Sequence, residues 1–204
     1  MKDSIRTILR EETEHQHKEL LREGALDTIQ KTLTGIGVVY DPADAVNVLI
    51  SVARQKWSDA MINAVAMIPG VGTGISLSLK KLLKVFPVAK ITEVFGKILA
   101  GGAKAAVTSL VQSSANNAEL FKGIVNGIKK NKSILLTLID KAGKSVDVVM
   151  DKLPEKYQKY VDKEMRQKAK DGAPNLKEFF AELGSLSDGQ IDKEMNKAKE
   201  VSKA

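Results

Sequence analysis

Apolar residues recur every three to four positions along nearly the whole chain, and the pattern is punctuated by Gly, Pro and Asn. Ile5, Ile8, Leu9, Leu20 and Leu21 place an amphipathic helix over residues 4–23 that Gly24 ends, and a shorter helix follows over 25–33. Residues 34–40 read as a linker. Asp41-Pro42-Ala43-Asp44 is a helix start, with Asp41 as cap, Pro42 where a missing N–H costs nothing, and Asp44 opposing the helix dipole. A helix over 42–55 comes next, then one from Ser58 and Asp59 to Ile68, ended by Pro69. Further helices are predicted over 75–85, 88–100, 103–114, 117–129, 133–150, 154–170, 175–183 and 188–202, the last opened by a Ser187/Gln190 capping box. No run alternates apolar and polar residues as a half-buried strand does. The expectation is an all-α, multi-helix bundle of about ten helices with a central apolar helical hairpin formed by 57–68 and 75–86. Its organisation reads as N-terminal amphipathic helices over 1–36, an apolar and basic helical core over 37–150, and charged C-terminal helices over 151–204.

Composition narrows the chemistry. The 204 residues include no Cys, two His and one Trp, so a disulfide, a thiolate nucleophile and a Cys-based zinc or iron–sulfur site are excluded. His15 and His17 stand two apart on a predicted helix and point in nearly opposite directions, which suits solvated side chains rather than a shared metal. The Gly70–Gly74 segment has no preceding strand and no following Gly-Lys-Ser/Thr, so it reads as a helix-to-helix bend and not a phosphate loop. No catalytic residue, cofactor, metal ligand or small-molecule substrate is expected.

Charge is uneven. Residues 60–150 carry 12 Lys and no Arg against 4 acidic residues, whereas the flanking thirds are close to balanced. The same third holds a 20-residue window without charge, Ala60 to Leu79. It matches the roughly 30 Å of a bilayer core in length. Pro69, Gly70, Gly72 and Gly74 sit in its middle, however, and a proline alone costs about 3 kcal/mol of helix. Two half-length helices around a bend are expected instead of a span. The opening residues lack the apolar core of a secretory signal, which points to a cytoplasmic or virion protein.

Basic charge laid over apolar helices points to an anionic surface. The membrane- or partner-binding residues expected are Trp57, Met61, Ile68, Pro69, Gly70, Gly72, Lys80, Lys81 and Lys84, with the hairpin opening onto lipid and the lysines on head groups. The alternative is nonspecific nucleic-acid binding through Lys129, Lys130 and Lys132, as an internal virion or packaging protein. The absence of Arg in this third and the shortage of aromatics argue against sequence-specific reading.

Asp41 to Ala45, Trp57 to Ala60 and Ala64-Val65-Ala66-Met67-Ile68-Pro69-Gly70-Val71-Gly72 together resemble a known segment. It is the small-residue-rich helical stretch, ending in Ile-Pro-x-x-Gly, that precedes the toxin domain of many bacterial polymorphic toxins and has counterparts in tailed-phage virion proteins. Ile5 to Glu12 is similar to the start of many marine tailed-phage structural proteins. The resemblance covers residues 1–85 and implies a non-enzymatic virion or toxin-delivery component that meets a membrane or other subunits. No toxin catalytic residue carries over, because the chain beyond residue 85 is Lys- and Ala-rich helix without His or Cys.

Overall fold

The computed structural model describes residues 16, 20–21, 23–28, 42–54, 56–68, 70–153 and 155–201. The predicted cap at Asp41, the linker 34–40, both histidines and Pro69 lie outside the described residues, and so does the side chain of Trp57.

The all-α expectation holds: eleven helical elements and no strand occur among the described residues. They are α1 (residues 23–28), α2 (Pro42–Ala53), α3 (Trp57–Ala66), α4 (Gly72–Lys84), α5 (Val88–Leu99), α6 (Ala103–Ser113), α7 (Ala118–Lys130), α8 (Lys132–Asp151), α9 (Glu155–Gln158), α10 (Lys163–Leu183) and α11 (Asp188–Val201). A 3₁₀ turn at Ala115–Asn117 joins α6 to α7.

The centre is a trio. α2, α8 and α10 pack on one another and bury Val46, Leu49, Ile50, Leu135, Ile139, Val146, Leu176, Phe179 and Phe180. The Phe179 and Phe180 rings meet edge to face, 5.4 Å between centroids. Around the trio lie two helical hairpins. α3–α4 sits on α2 through α3 and on α7 through α4, while α5–α6 sits on α10, with α11 laid across α6. One apolar core runs through all of these, so helices on both sides of residue 150 share it.

One predicted local signal carries through, and the structure adds a second cap. Ser187 and Gln190 form the reciprocal capping box of α11: the Ser187 N–H donates to Gln190 Oε1 at 2.8 Å and the Gln190 N–H to Ser187 Oγ at 3.3 Å. Asp162 caps α10 by accepting from the Met165 N–H at 2.8 Å. Three expectations are corrected. Gly24 does not end a helix but lies within α1. The single helix expected over 154–170 is divided at residues 159–162 into α9 and α10. The predicted break between 170 and 175 is absent, and α10 runs unbroken through Pro174. The proline removes one helical hydrogen bond and costs about 3 kcal/mol. Its ring is on the exposed side, and the buried Ala169, Ala173, Leu176, Phe179, Phe180 and Leu183 hold the helix together across it.

Between α3 and α4 the chain turns at Gly70, whose φ of +76° is the left-handed conformation glycine adopts without strain. Gly72 then opens α4 against the end of α3. A Cβ there would lie 2.4 Å from the Ala66 carbonyl oxygen and 2.6 Å from that of Val65. Only a bare backbone permits this hairpin to close so tightly.

Candidate functional site

α4 is amphipathic for a reason legible in its sequence, Gly-Thr-Gly-Ile-Ser-Leu-Ser-Leu-Lys-Lys-Leu-Leu-Lys. Ser76, Leu79, Leu82 and Leu83 face the core. Thr73, Gly74, Leu77, Lys80, Lys81 and Lys84 recur at three- and four-residue spacing on the opposite side and are exposed. Val71 before the helix and Val85 after it are also exposed, so apolar side chains flank the lysines at both ends. Leu77 keeps 55% of its surface in water, one turn from Lys80 and Lys81 and two turns from Lys84.

No acidic residue lies on α4, and Lys80, Lys81 and Lys84 make no ion pair among the described residues. Lys81 and Lys84 stand in the last turn, where the helix dipole favours cations. The face therefore combines unneutralised ammonium groups with exposed aliphatic surface.

The other expected residues are spread through the bundle. Met61 and Ile68 are buried in the core and Gly72 is enclosed in the α3–α4 contact, so none of the three reaches the surface of the closed bundle. Gly70 is exposed beside the start of α4. Lys129 and Lys130 are exposed at the end of α7. That end abuts the start of α4, because a Cβ on Gly127 would lie 2.5 Å from Ile75 Cδ1. Lys132 is half-buried, its stem within 3.2 Å of where a Gly184 Cβ would stand. The structure thus gathers Lys80, Lys81 and Lys84 with Leu77, Val71 and Val85. These three apolar members are absent from the residues expected above, although the spacing of Leu77 to Lys80, Lys81 and Lys84 is a signal that could have found it.

Two clefts hold polar side chains. Between α5, α6 and α11 lies an open cleft of about 440 Å³ that includes Lys90, Glu93, Ser109, Gln112 and Lys197. Beside it Lys97 Nζ donates to Ser109 Oγ at 2.5 Å and stands 2.6 Å from Glu93 Oε1, so both the lysine and the serine are already engaged. Hydrogen bonds from Lys90 and then Lys97 hold the Glu93 carboxyl down at about 2. The cluster is a charge-paired tie between α5 and α6. The second cleft, about 590 Å³ at the start of α10, is lined by Asp147, Arg166 and Lys170. These charges also pair with one another, Lys170 with Asp147 at 2.5 Å. Among the described residues no group of three or more His, Asp or Glu side chains converges as a metal site needs, and no helix is long and apolar enough to cross a membrane.

Comparison with protein-family models, with curated proteins and with solved structures found no match to this chain.

Proposed function

We propose that the chain is a non-enzymatic interaction protein, a virion or toxin-delivery component, that docks on an anionic lipid surface through the outward face of α4. One observation carries the reading: Lys80, Lys81 and Lys84 are exposed on a helix without acid and have no ion-pair partner among the described residues, and Leu77 is exposed among them. Cations around exposed aliphatic groups match the boundary between head groups and acyl chains. The virion or delivery setting rests on the resemblance of residues 1–85.

The magnitudes favour a weak, reversible contact. Each lysine near an anionic bilayer contributes about 1 kcal/mol, and sinking the exposed part of Leu77 adds about 1 kcal/mol. The sum of about 4 kcal/mol corresponds to half-binding near 1 mM accessible lipid. Such a contact becomes firm when many copies act together, as they do on an assembled particle.

Nucleic acid is the second reading, and the packing at Lys132 favours it less. With Lys132 half-buried at Gly184, only Lys129 and Lys130 of that cluster stand out as exposed cations. Phosphate binding also gives no role to Leu77 or Val85.

Vesicle flotation tests the proposal. The chain is expected to float with phosphatidylglycerol-containing vesicles at low salt, to remain behind with pure phosphatidylcholine, and to release as salt rises. Failure to float with either vesicle would remove the lipid reading. Salt-sensitive retention of DNA without any vesicle binding would put nucleic acid in its place.

A further inference from the structure

The connection from α8 to α10 folds as a short knuckle pinned at both ends. Leu153 and Val161 are buried. Gln158 ties the middle back onto the end of α8, its Nε2 donating to the Leu153 carbonyl at 2.9 Å and to that of Asp151 at 3.3 Å. The Tyr160 and Val161 N–H groups donate to the Tyr157 and Gln158 carbonyls at 3.0 and 3.1 Å, which closes the turn after α9. Tyr157 and Tyr160 are half-buried and pack on the core.

These anchors leave the lysines outside. Lys152, Lys156, Lys159 and Lys163 are all exposed, and none has an ion-pair partner among the described residues. Two acids share the segment, and one of them, Asp162, is engaged by the Met165 N–H at 2.8 Å. Further along α10 the cations are taken: Arg166 by Asp151 at 2.6 Å and Lys170 by Asp147 at 2.5 Å. The aromatic rings make this segment unlike the α4 face. The chain has three tyrosines, and two of them stand here between lysines. Lys156 Nζ lies 4.8 Å from the centre of the Tyr157 ring and Lys159 Nζ 4.9 Å from that of Tyr160.

Cations and ring faces together fit one kind of polyanion. A single strand of nucleic acid carries a phosphate at every nucleotide and unpaired bases that stack on aromatic side chains. A duplex keeps its bases inside and would leave the rings unused. Lipid would call for exposed aliphatic groups, and Leu153 and Val161 are turned inward. An ammonium over an exposed ring is weakly held, so a base laid on the ring outweighs it and leaves the displaced lysine to the incoming backbone.

We propose that the 152–163 knuckle binds single-stranded nucleic acid without sequence preference, with bases on Tyr157 and Tyr160 and phosphates on Lys152, Lys156, Lys159 and Lys163. This site is separate from the α4 face and from Lys129, Lys130 and Lys132, and it does not rest on the lipid reading.

Anisotropy of a short labelled oligothymidylate titrated with the full chain tests it. With four phosphates neutralised, the binding constant is expected to fall with salt at a logarithmic slope of about −3, roughly 50-fold between about 50 and about 200 mM. K156Q/K159Q is expected to halve that slope and to bind roughly tenfold more weakly at the lower salt. Y157L/Y160L keeps apolar side chains on the core and is expected to lose roughly tenfold with the slope unchanged, whereas Y157F/Y160F keeps the rings and stays within about twofold. K80Q/K81Q/K84Q is expected to bind the strand as the wild type does. Photo-cross-linking of a 4-thiothymidine strand to the unaltered chain is expected to fall on Tyr157 or Tyr160, which decides the site even where a tyrosine variant does not fold. No binding at low salt, cross-links confined to other segments, or equal affinity for a duplex of the same length would overturn the proposal. Displacement of the strand by polyglutamate as readily, charge for charge, would put an acidic polypeptide in its place.

Discussion

The trio of α2, α8 and α10 and the hairpin of α3 and α4 are both apolar inside and lysine-bearing outside, yet their lysines are used differently. On α8 and α10, Lys144 and Lys177 share Asp140, at 2.7 and 3.0 Å, and Lys170 pairs with Asp147. On α4, Lys80, Lys81 and Lys84 have no such partner among the described residues. A count of lysines does not separate the two surfaces. What separates them is how much of the charge nearby carboxylates take up: Lys144, Lys168, Lys170 and Lys177 of the trio are paired and Lys141 and Lys163 are not, whereas among the described residues none of the α4 lysines is paired.

The interiors of the two regions differ as well, and the largest expected effect lies there. Gly72 of the hairpin and Gly172 of the trio both lack room for a Cβ. At Gly172 the obstacle is a Val52 methyl at 2.4 Å, whereas at Gly72 it is two backbone carbonyl oxygens at 2.4 and 2.6 Å. A methyl can turn or shift; a carbonyl moves only with its helix. Gly72→Ala is therefore expected to cost about 3 kcal/mol and Gly172→Ala about half of that, read as denaturant midpoints at constant m-value. Equal midpoints would mean that the hairpin closure is softer than its geometry implies.

The sequence shows most of the helices and little of this distinction. Periodicity and caps place the helices because they act within one or two turns, as at Ser187 and Gln190. Pro174 misleads because the local rule ends a helix there, while buried side chains on both sides of it, whose partners lie on other helices, hold α10 through. Lys80, Lys81 and Lys84 are legible as a cluster, but their lack of partners is not: pairing depends on which helix lies alongside, as Asp140 and Lys177, 37 positions apart, illustrate. Met61 and Ile68 stand near these lysines in sequence, and the helix turns them inward.

Charge removal at matched sites sharpens the contrast between the surfaces. Replacing Lys80, Lys81 and Lys84 by Gln is expected to weaken partition onto anionic vesicles by about 100-fold, at about 1 kcal/mol per lysine lost. The unfolding midpoint should shift by less than about 0.5 kcal/mol, since exposed and unpaired groups leave nothing behind. Replacing Lys144, Lys170 and Lys177 by Gln is expected to do the opposite. Partition stays within about threefold of wild type, while each lost pair costs up to about 1 kcal/mol of stability. Equal loss of binding in both variants would show that net charge, and not the α4 face, drives the contact.

The smallest effect concerns a lysine cluster that looks available and is not. Lys90 and Lys97 lie in the basic third of the chain, but both are held by Glu93, at 2.8 and 2.6 Å. Their hydrogen bonds bring its carboxyl from the ordinary 4.5 to about 2. A carboxyl whose pKa is lower folded than unfolded contributes stability that is present above the unfolded value and fades as pH falls from about 4.5 to about 2. Glu93→Gln is thus expected to lower the unfolding midpoint slightly at pH 7, by less than about 0.5 kcal/mol for so exposed a pair. The difference from wild type should close near pH 2. Stability measured at pH 7, 4 and 2 checks this, and a gap that persists unchanged at pH 2 would assign the loss to packing between α5 and α6 instead of to charge. At neutral pH the same variant frees Lys90 and Lys97 without altering α4. A marked gain in vesicle binding would then show that freeing any lysine of this third suffices, while unchanged binding keeps the contact on α4, whose lysines have no ion-pair partner among the described residues.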